Sequence, residues 1–407
     1  MNGHPNKWTG APCYAARRQQ PKLALLLATV CLALTTVTTH AFDARGGQFI
    51  GFSSFSTFTK APGARPGETV LTSPEVVARI NWDELIASWN AETPNAAYLK
   101  IEARALYPNG PTKYYTLGLW SVNTNRYPRE SVLNQRDADG NVATDTLKLK
   151  RPCDRLQIRL TLGGDGGQQP KLKFLGLHLT DTAVTPPALP SNPAALGRSI
   201  SVPQRTQMAY TNGVVLCSPT TVSMVMAYWA KQLRRPELDH DVPDIVNAIY
   251  DAKWPGTGNW PFNTAYAGSY QSIRAYVTRL SDLSEVEDWT AAGIPVILSV
   301  CADRLHRKGP GPNGHLLVCL GFTENGDPIV NDPGTSSNIR RAYPRKDLSY
   351  AWANSRNTVY LIYPEDAEIP KDRFGHWDSR TSHQRVSLRP GWFQDMKGTA
   401  DGIKKER

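Results

Sequence analysis

Between Phe49 and Leu179 apolar and polar residues alternate with a period of two. "AYLKIEARALY", "KYYTLGLWS", "DTLKLK", "DRLQIRLTL" and "KLKFLGLHL" each predict a strand with one buried face. Turn signals such as "YPNGP" and "GGDGG" separate them, and no helical pattern intervenes. Short strands in such succession predict an all-β sandwich of jelly-roll type. The segment "AVTPPALPSNPAALG" then supplies four prolines and little charge, the composition of a semi-rigid linker. Beyond it the period changes. "SPTTVSMVMAYWAKQL", "VPDIVNAIYDA", "SYQSIRAYVTRL" and "VEDWTAAG" predict helices, and "IPVILSV", "GHLLVCLGF", "DPIVNDP" and "NTVYLIYP" predict strands. Helices followed by an antiparallel sheet make an α+β domain.

A chain of 407 residues exceeds one ordinary core, and the pattern divides it accordingly. The expected organisation is a leader at 1–41, a β-sandwich at 42–182 and a linker at 183–199. An α+β domain at 200–364 and a polar tail at 365–407 complete it, with Trp377, Trp392 and Phe393 able to dock part of that tail. The leader has the build of an export signal. Arg17, Arg18 and Lys22 flank the apolar run Leu23–Leu34, and "THA" ends at Ala41 with small residues for cleavage. Cleavage near Ala41 predicts a protein secreted to the periplasm, the medium or the cell surface. No later segment could span a bilayer. Removing Lys7, Arg17, Arg18 and Lys22 lowers the net charge from +10 to +6. The remaining charge is dispersed, without a basic stripe interleaved with aromatics, which argues against nucleic acid as a partner. Four cysteines stay in the mature chain. Cys301 and Cys319 could face each other on neighbouring strands, and Cys153 reads as a buried hydrophobe.

Chemistry concentrates in the α+β half. Cys217 precedes Ser218, a good helix cap, and Pro219, well placed at a first helical position. The positive end of that helix would favour a thiolate at Cys217. A nucleophilic cysteine needs a base, and the base needs an orienting group. His315 opens a strand after a glycine, and Asp332 ends the next short strand before a Pro-Gly turn. A hairpin would bring the two together, so that the aspartate fixes the tautomer of the ring. Acyl transfer also needs a donor for the developing oxyanion. The Cys217 amide and the side chain of Gln207 qualify, with Gln204 as a competitor. "RDADGN" resembles the start of a calcium loop, but Lys148 stands where the closing glutamate belongs, so a tight turn is expected. His240 in "LDHDVPD" reads as part of a loop that starts a helix rather than as a metal ligand. Trp82, Trp89 and Trp120 read as core residues, although surface aromatics on a sandwich could stack on sugar rings.

Together Gln207, "LCSPTTVSMVMAYW", "NGHLLVCLGF" and "IVNDPG" resemble the papain-like cysteine peptidases related to the bacteriocin-leader-processing (double-glycine) peptidases. The likeness is to secreted, stand-alone bacterial relatives and covers roughly 200–363. It implies a papain-like fold and a Cys217 thiolate that attacks a peptide carbonyl. It further implies His315 as base and then acid, Asp332 as its orienter, and Gln207 at the oxyanion. No metal or organic cofactor is implied. Ser218 stands where many relatives carry glycine. Peptide or protein is the implied substrate, cell-wall peptide included. The same triad would also serve a peptidoglycan amidase, an endopeptidase or an acyl transferase. A reading of another class is a surface glycan-binding protein whose peptidase domain is degenerate.

Overall fold

The alternating segments do form strands, but they join into one sheet rather than two. The computed structural model describes residues 46–372 together with His376 and Trp377. The segment expected to be an export signal, Trp392, Phe393 and most of the tail lie outside the described residues. Ten strands come first. They are β1 (Gly47–Phe52), β2 (Thr59–Pro62), β3 (Thr69–Thr72), β4 (Val76–Glu92), β5 (Ala97–Tyr107), β6 (Gly110–Pro111), β7 (Tyr115–Ser121), β8 (Gly140–Ala143), β9 (Thr146–Gly164) and β10 (Lys171–Thr180). Their order is β1–β10–β4–β9–β3–β2, with β5 and β8 also on β9, and β6 and β7 on β5. This single antiparallel sheet replaces the expected two-sheet jelly roll. "DTLKLK" and "DRLQIRLTL", separate in the pattern, are one strand of 19 residues. Register breaks between Val77 and Trp82, and between Trp82 and Glu84, place irregularities where β4 meets β9. Such bulges bend a sheet, so one long sheet can curl over its own core.

The burial of β4 shows what lies on the sheet. Val76, Ala78, Ile80 and Trp82 are buried in alternation, as a half-solvated strand requires. From Glu84 to Ala91 every residue is buried. There the outer face is covered by the second half of the chain. Trp89 and Trp120 both pack against Phe262, at centroid distances of 6.0 and 5.6 Å, so these tryptophans fill a core and offer no platform for a sugar.

The second half holds β11 (Arg198–Ser199), α1 (Cys217–Leu233), α2 (Val242–Ile249), α3 (Trp260–Ala267), β12 (Ile273–Arg279), α4 (Leu283–Ala291), β13 (Val296–Cys301), α5 (Ala302–Leu305), β14 (Gly314–Phe322), β15 (Pro328–Asn331), β16 (Arg340–Ala342), α6 (Arg345–Trp352) and β17 (Thr358–Pro364). Its antiparallel sheet runs β12–β17–β13–β14–β15–β16, with β11 on β14. "SYQSIRAYVTRL" forms a strand in this topology and not the helix its pattern predicts. Its core is β12, paired with β17 from Ile273 opposite Pro364 to Arg279 opposite Thr358. Ile273, Tyr276, Val277 and Thr278 favour a strand, and burial on both faces removes the alternation that would have revealed it. The neighbouring helix α3 went unpredicted. Asn259 caps it, accepting from the Phe262 amide at 3.2 Å, and Pro261 sits in the first turn, where its missing N–H costs nothing.

The free edge of β12 is closed by side chains of β4. Asn90 donates to the Ala275 carbonyl at 2.7 Å and accepts from the Ala275 amide at 3.1 Å. Ser88 accepts from the Val277 amide at 2.9 Å. An edge strand is thus satisfied without a neighbouring strand. The proline-rich segment is anchored as well. The Leu189 amide donates to Asp282, while the Ser191 hydroxyl and Asn192 amide donate to Glu287 on α4 at 2.7 and 2.6 Å. At the other end of the chain, the Phe49 amide donates to the His376 carbonyl at 2.8 Å, so Trp377 does dock against β1. β13 and β14 pair as expected, but Cys301 lies opposite Gly314 and Cys319 opposite Val296. Five register positions, from 296 to 301, therefore separate the two thiols, and both are free. Among the described residues no helix is long and apolar enough to cross a membrane.

Candidate active site

Helix α1 begins at Cys217 itself. Leu216 occupies the cap position, so Ser218 is not the cap, and Pro219 is the third helical residue instead of the first. Pro219 still fits, because the first-turn amides have no partner inside a helix. Ser218 is buried, and its hydroxyl lies 3.0 Å from that of Tyr360 on β17. The larger residue at this position is thus accommodated by a partner in the sheet. Cys217 remains half-buried at the positive end of the helix.

His315 is the second residue of β14, and Val318 on this strand faces Asn331 on β15. Continuing that register sets His315 opposite Gly334, with Asp332 two positions away on the same face. The contact follows: His315 Nε2 stands 2.7 Å from Asp332 Oδ1, with His315 8% and Asp332 1% exposed. Asp332 Oδ1 also accepts from the Gly334 amide at 2.9 Å, and Oδ2 accepts from the Tyr343 hydroxyl at 2.6 Å. A Cβ on Gly334 would come within 3.0 Å of His315 Cε1 and 3.2 Å of Asp332 Oδ1, so a side chain there would press on this pair. The other side of the imidazole meets the Cys217 thiol.

Charge reinforces the geometry. Burial disfavours a protonated His315, yet the hydrogen bonds to Asp332 and Cys217 outweigh it and push the ring up to about 10. Burial likewise opposes an ionised Asp332. The His315 ring, the Tyr343 hydroxyl and the Gly334 amide prevail and hold the carboxyl well below its usual range. Tyr343→Phe removes one of these donors from a buried carboxylate. It is expected to lower stability by about 1.5–3 kcal/mol, the range for a hydrogen bond to a charged group, read from the urea midpoint at constant m-value.

Gln207 is 3% exposed, and its amide donates to the Pro333 carbonyl at 3.0 Å. The loop before Cys217 lies directly on it. A side chain on Gly213 would meet the Gln207 carbonyl at 2.1 Å, so this close approach demands glycine. Gln207 Oε1 is buried without a hydrogen-bond partner among the described residues. Gln204, the competitor, is exposed and accepts from the Arg340 amide at 3.2 Å.

Cys217, Gln207, His315 and Asp332 all line one cleft of 970 Å³. Met208, Val214, Val215 and Trp254 line it too, and these are among the few large apolar side chains exposed on the described surface. The first sheet also contributes to the lining, through Thr144 and Asp145 of the β8–β9 turn with Glu84 and Lys148. The remaining candidates lie elsewhere. His240 Nε2 meets the Glu237 carbonyl at 2.9 Å, just ahead of Asp241, which caps α2. In "RDADGN" the Asp137 carboxylate accepts from the Asp139 and Gly140 amides, each at 2.9 Å, making the expected tight turn.

Residues 65–179 match the peptidase C39 N-terminal domain, and residues 199–360 match the peptidase C39-like family. The chain belongs to the C39-like peptidases. A structure described as a C39-like peptidase from Bacillus anthracis is similar at 15% identity, with a TM-score of 0.32, over 41% of this chain and 98% of that one. A structure of infectious bursal disease virus, Gt strain, is similar at 10% identity, with a TM-score of 0.19, over 34% of this chain and 33% of that one. No curated protein matches the chain. In this C39-like peptidase four side chains singled out by sequence share a cleft. Sequence missed Tyr343, eleven residues beyond Asp332, because only the β15–β16 pairing returns it to the carboxylate. It also missed the contribution of the C39 N-terminal domain to the cleft wall, for which no local signal exists.

Proposed function

We propose that this C39-like chain is a secreted cysteine peptidase that cleaves peptide bonds through a thioester intermediate. The observation that carries the reading is the contact series Cys217–His315–Asp332 inside an open cleft, with the buried Gln207 amide beside it. His315 beside Cys217 takes the thiol proton, which gives the thiolate–imidazolium pair that reacts. Sγ attacks the carbonyl carbon, and the oxygen takes the negative charge, facing the Cys217 amide and the Gln207 side chain. His315 then gives its proton to the departing amine as the C–N bond breaks, leaving the thioester. Water, deprotonated by His315, attacks that thioester; the acid is released and Sγ regains its negative charge. Asp332 keeps Nε2 engaged, so that Nδ1 serves the thiol throughout. This arrangement is the papain-like order of Gln, Cys, His and Asp.

Selective alkylation provides the test. Cys153, Cys301 and Cys319 are buried, which leaves Cys217 as the accessible thiol among the described residues. One equivalent of iodoacetamide, located on Cys217 by peptide mass mapping, is expected to end cleavage of denatured casein. Casein hydrolysis that continues after complete modification of Cys217 would refute the peptidase reading. Cleavage confined to purified cell wall would move the substrate to peptidoglycan cross-links while retaining the chemistry.

A further inference from the structure

The same cleft is lined by a second charged cluster, built from elements far apart in sequence. Glu84 on β4 lies opposite Lys148 on β9, with Lys148 Nζ 3.2 Å from its carboxylate. Arg279, the last residue of β12, reaches the same carboxylate at 2.6 Å, and Arg356, just beyond α6, reaches it at 3.5 Å. Glu84 is 4% exposed, whereas the Lys148 and Arg356 side chains are 52% and 50% exposed, and all four residues line the cleft. Asp145 is the second acid nearby. Its carboxylate is occupied by the Trp260 amide at 2.9 Å and by the Thr146 hydroxyl at 3.1 Å. Even with both acids ionised, three cations against two anions leave a surplus positive charge facing the cleft.

Two further observations single this cluster out. Arg279 is 7% exposed, and its Nε has no hydrogen-bond partner among the described residues, an uncommon state for a buried cation's donor. The backbone here is also held in left-handed conformations. Thr144 has φ 58°, Arg356 φ 54° and Asn357 φ 57°, and for a β-branched residue such as Thr144 this is a true outlier. Strain of this kind persists where surrounding structure enforces it, and it clusters at ligand sites. Arg356, one of these residues, lines the cleft.

We propose that this part of the cleft is a subsite for a carboxylate of the bound peptide, held by Arg356 and Lys148 with Arg279 behind them. The inference deepens the peptidase reading by naming the substrate as one that is acidic at a position away from the scissile bond. A bidentate carboxylate suits the guanidinium of Arg356, and Lys148 adds a point charge. Apolar Met208, Val214, Val215 and Trp254 line the same cleft, so an acidic residue joined to apolar neighbours is the fitting ligand. The carboxylate can come from an acidic side chain or from the end of the peptide chain.

Binding, measured apart from catalysis, tests this. Full-length Cys217→Ala protein is titrated calorimetrically with three acetylated hexapeptides of leucine and alanine. One carries glutamine and a C-terminal amide, one carries glutamate and the amide, and one carries glutamine and a free C-terminal acid. One of the acidic peptides is expected to bind about 10- to 100-fold tighter than the neutral one. Preference for the glutamate peptide assigns the site to a side chain, and preference for the free acid assigns it to a chain end. In the double variant Arg356→Asn, Lys148→Gln the preference is expected to fall to near unity; asparagine tolerates the left-handed backbone. Equal binding of all three peptides, or a preference that survives in the double variant, overturns the subsite. Cleavage of the neutral peptide by the unmodified protein reports separately on the peptidase reading.

Discussion

Cys217→Ala is expected to lower kcat/KM for peptide hydrolysis by at least about 10⁴-fold, the usual consequence of removing the nucleophile from a catalytic unit. The size follows from the role. Without Sγ no thioester forms, and His315 and Gln207 retain only what orientation and oxyanion stabilisation can do for direct attack by water. The change should leave the fold intact, because Cys217 is half-buried at a helix start, and alanine there keeps the helix. Paired measurements of kcat/KM and of the urea midpoint separate the two effects. Residual activity within tenfold of the unmodified protein would remove Cys217 from the mechanism. Lost activity accompanied by a collapsed midpoint would make the residue structural.

Asp332→Asn is the second large effect, about 10²- to 10⁴-fold in kcat/KM at neutral pH. Asparagine can present its oxygen to His315 and Gly334 and its amide to the Tyr343 hydroxyl, so geometry survives while the negative charge is lost. The pH profile then carries the diagnosis. In the unmodified protein Asp332 helps push His315 up to about 10, so the active charge state persists until the pH approaches that value. Removing the carboxylate withdraws a cause that raises the ring, and the alkaline limb must move down. Activity at pH 9 should therefore fall further than activity at pH 7. The titration is also linked to stability. A histidine raised from 6.5 contributes stability that is complete below 6.5 and disappears as pH rises through about 10. Asp332 acts in the opposite direction: its depressed carboxyl stabilises above the ordinary value of 3.8, and the contribution fades as acid protonates it. An alkaline limb that stays in place in the variant would disconnect Asp332 from the histidine.

These residues were legible because each occupies a feature that sequence states locally. A cysteine before a proline-containing helix start, a histidine opening an apolar strand and an aspartate before a Pro-Gly turn need no knowledge of distant neighbours. The errors lie where burial depends on the rest of the chain. Glu84, Ser88 and Asn90 have the polar look of an exposed face, and only β12, some 185 residues away, explains why they are buried. β12 was mistaken for a helix for the same reason: covered on both faces, it shows no alternation. Ser218 has the residue type of a helix cap, but its hydroxyl faces Tyr360 across 142 residues. The long strand β9 was split in two because its middle, Arg151–Asp154, is polar and resembles a turn.

Asn90 and Ser88 meet β12 through its backbone, and this has a bearing on descent. A backbone edge offers the same donors and acceptors whatever side chains it carries, so this seam constrains Ser88 and Asn90, while the side chains of β12 answer only to their own packing. The catalytic half could vary at that seam without losing its partner, but could not be shuffled onto another scaffold lacking the same amide and hydroxyl. Lineages should therefore pass on the two halves as a single heritable piece.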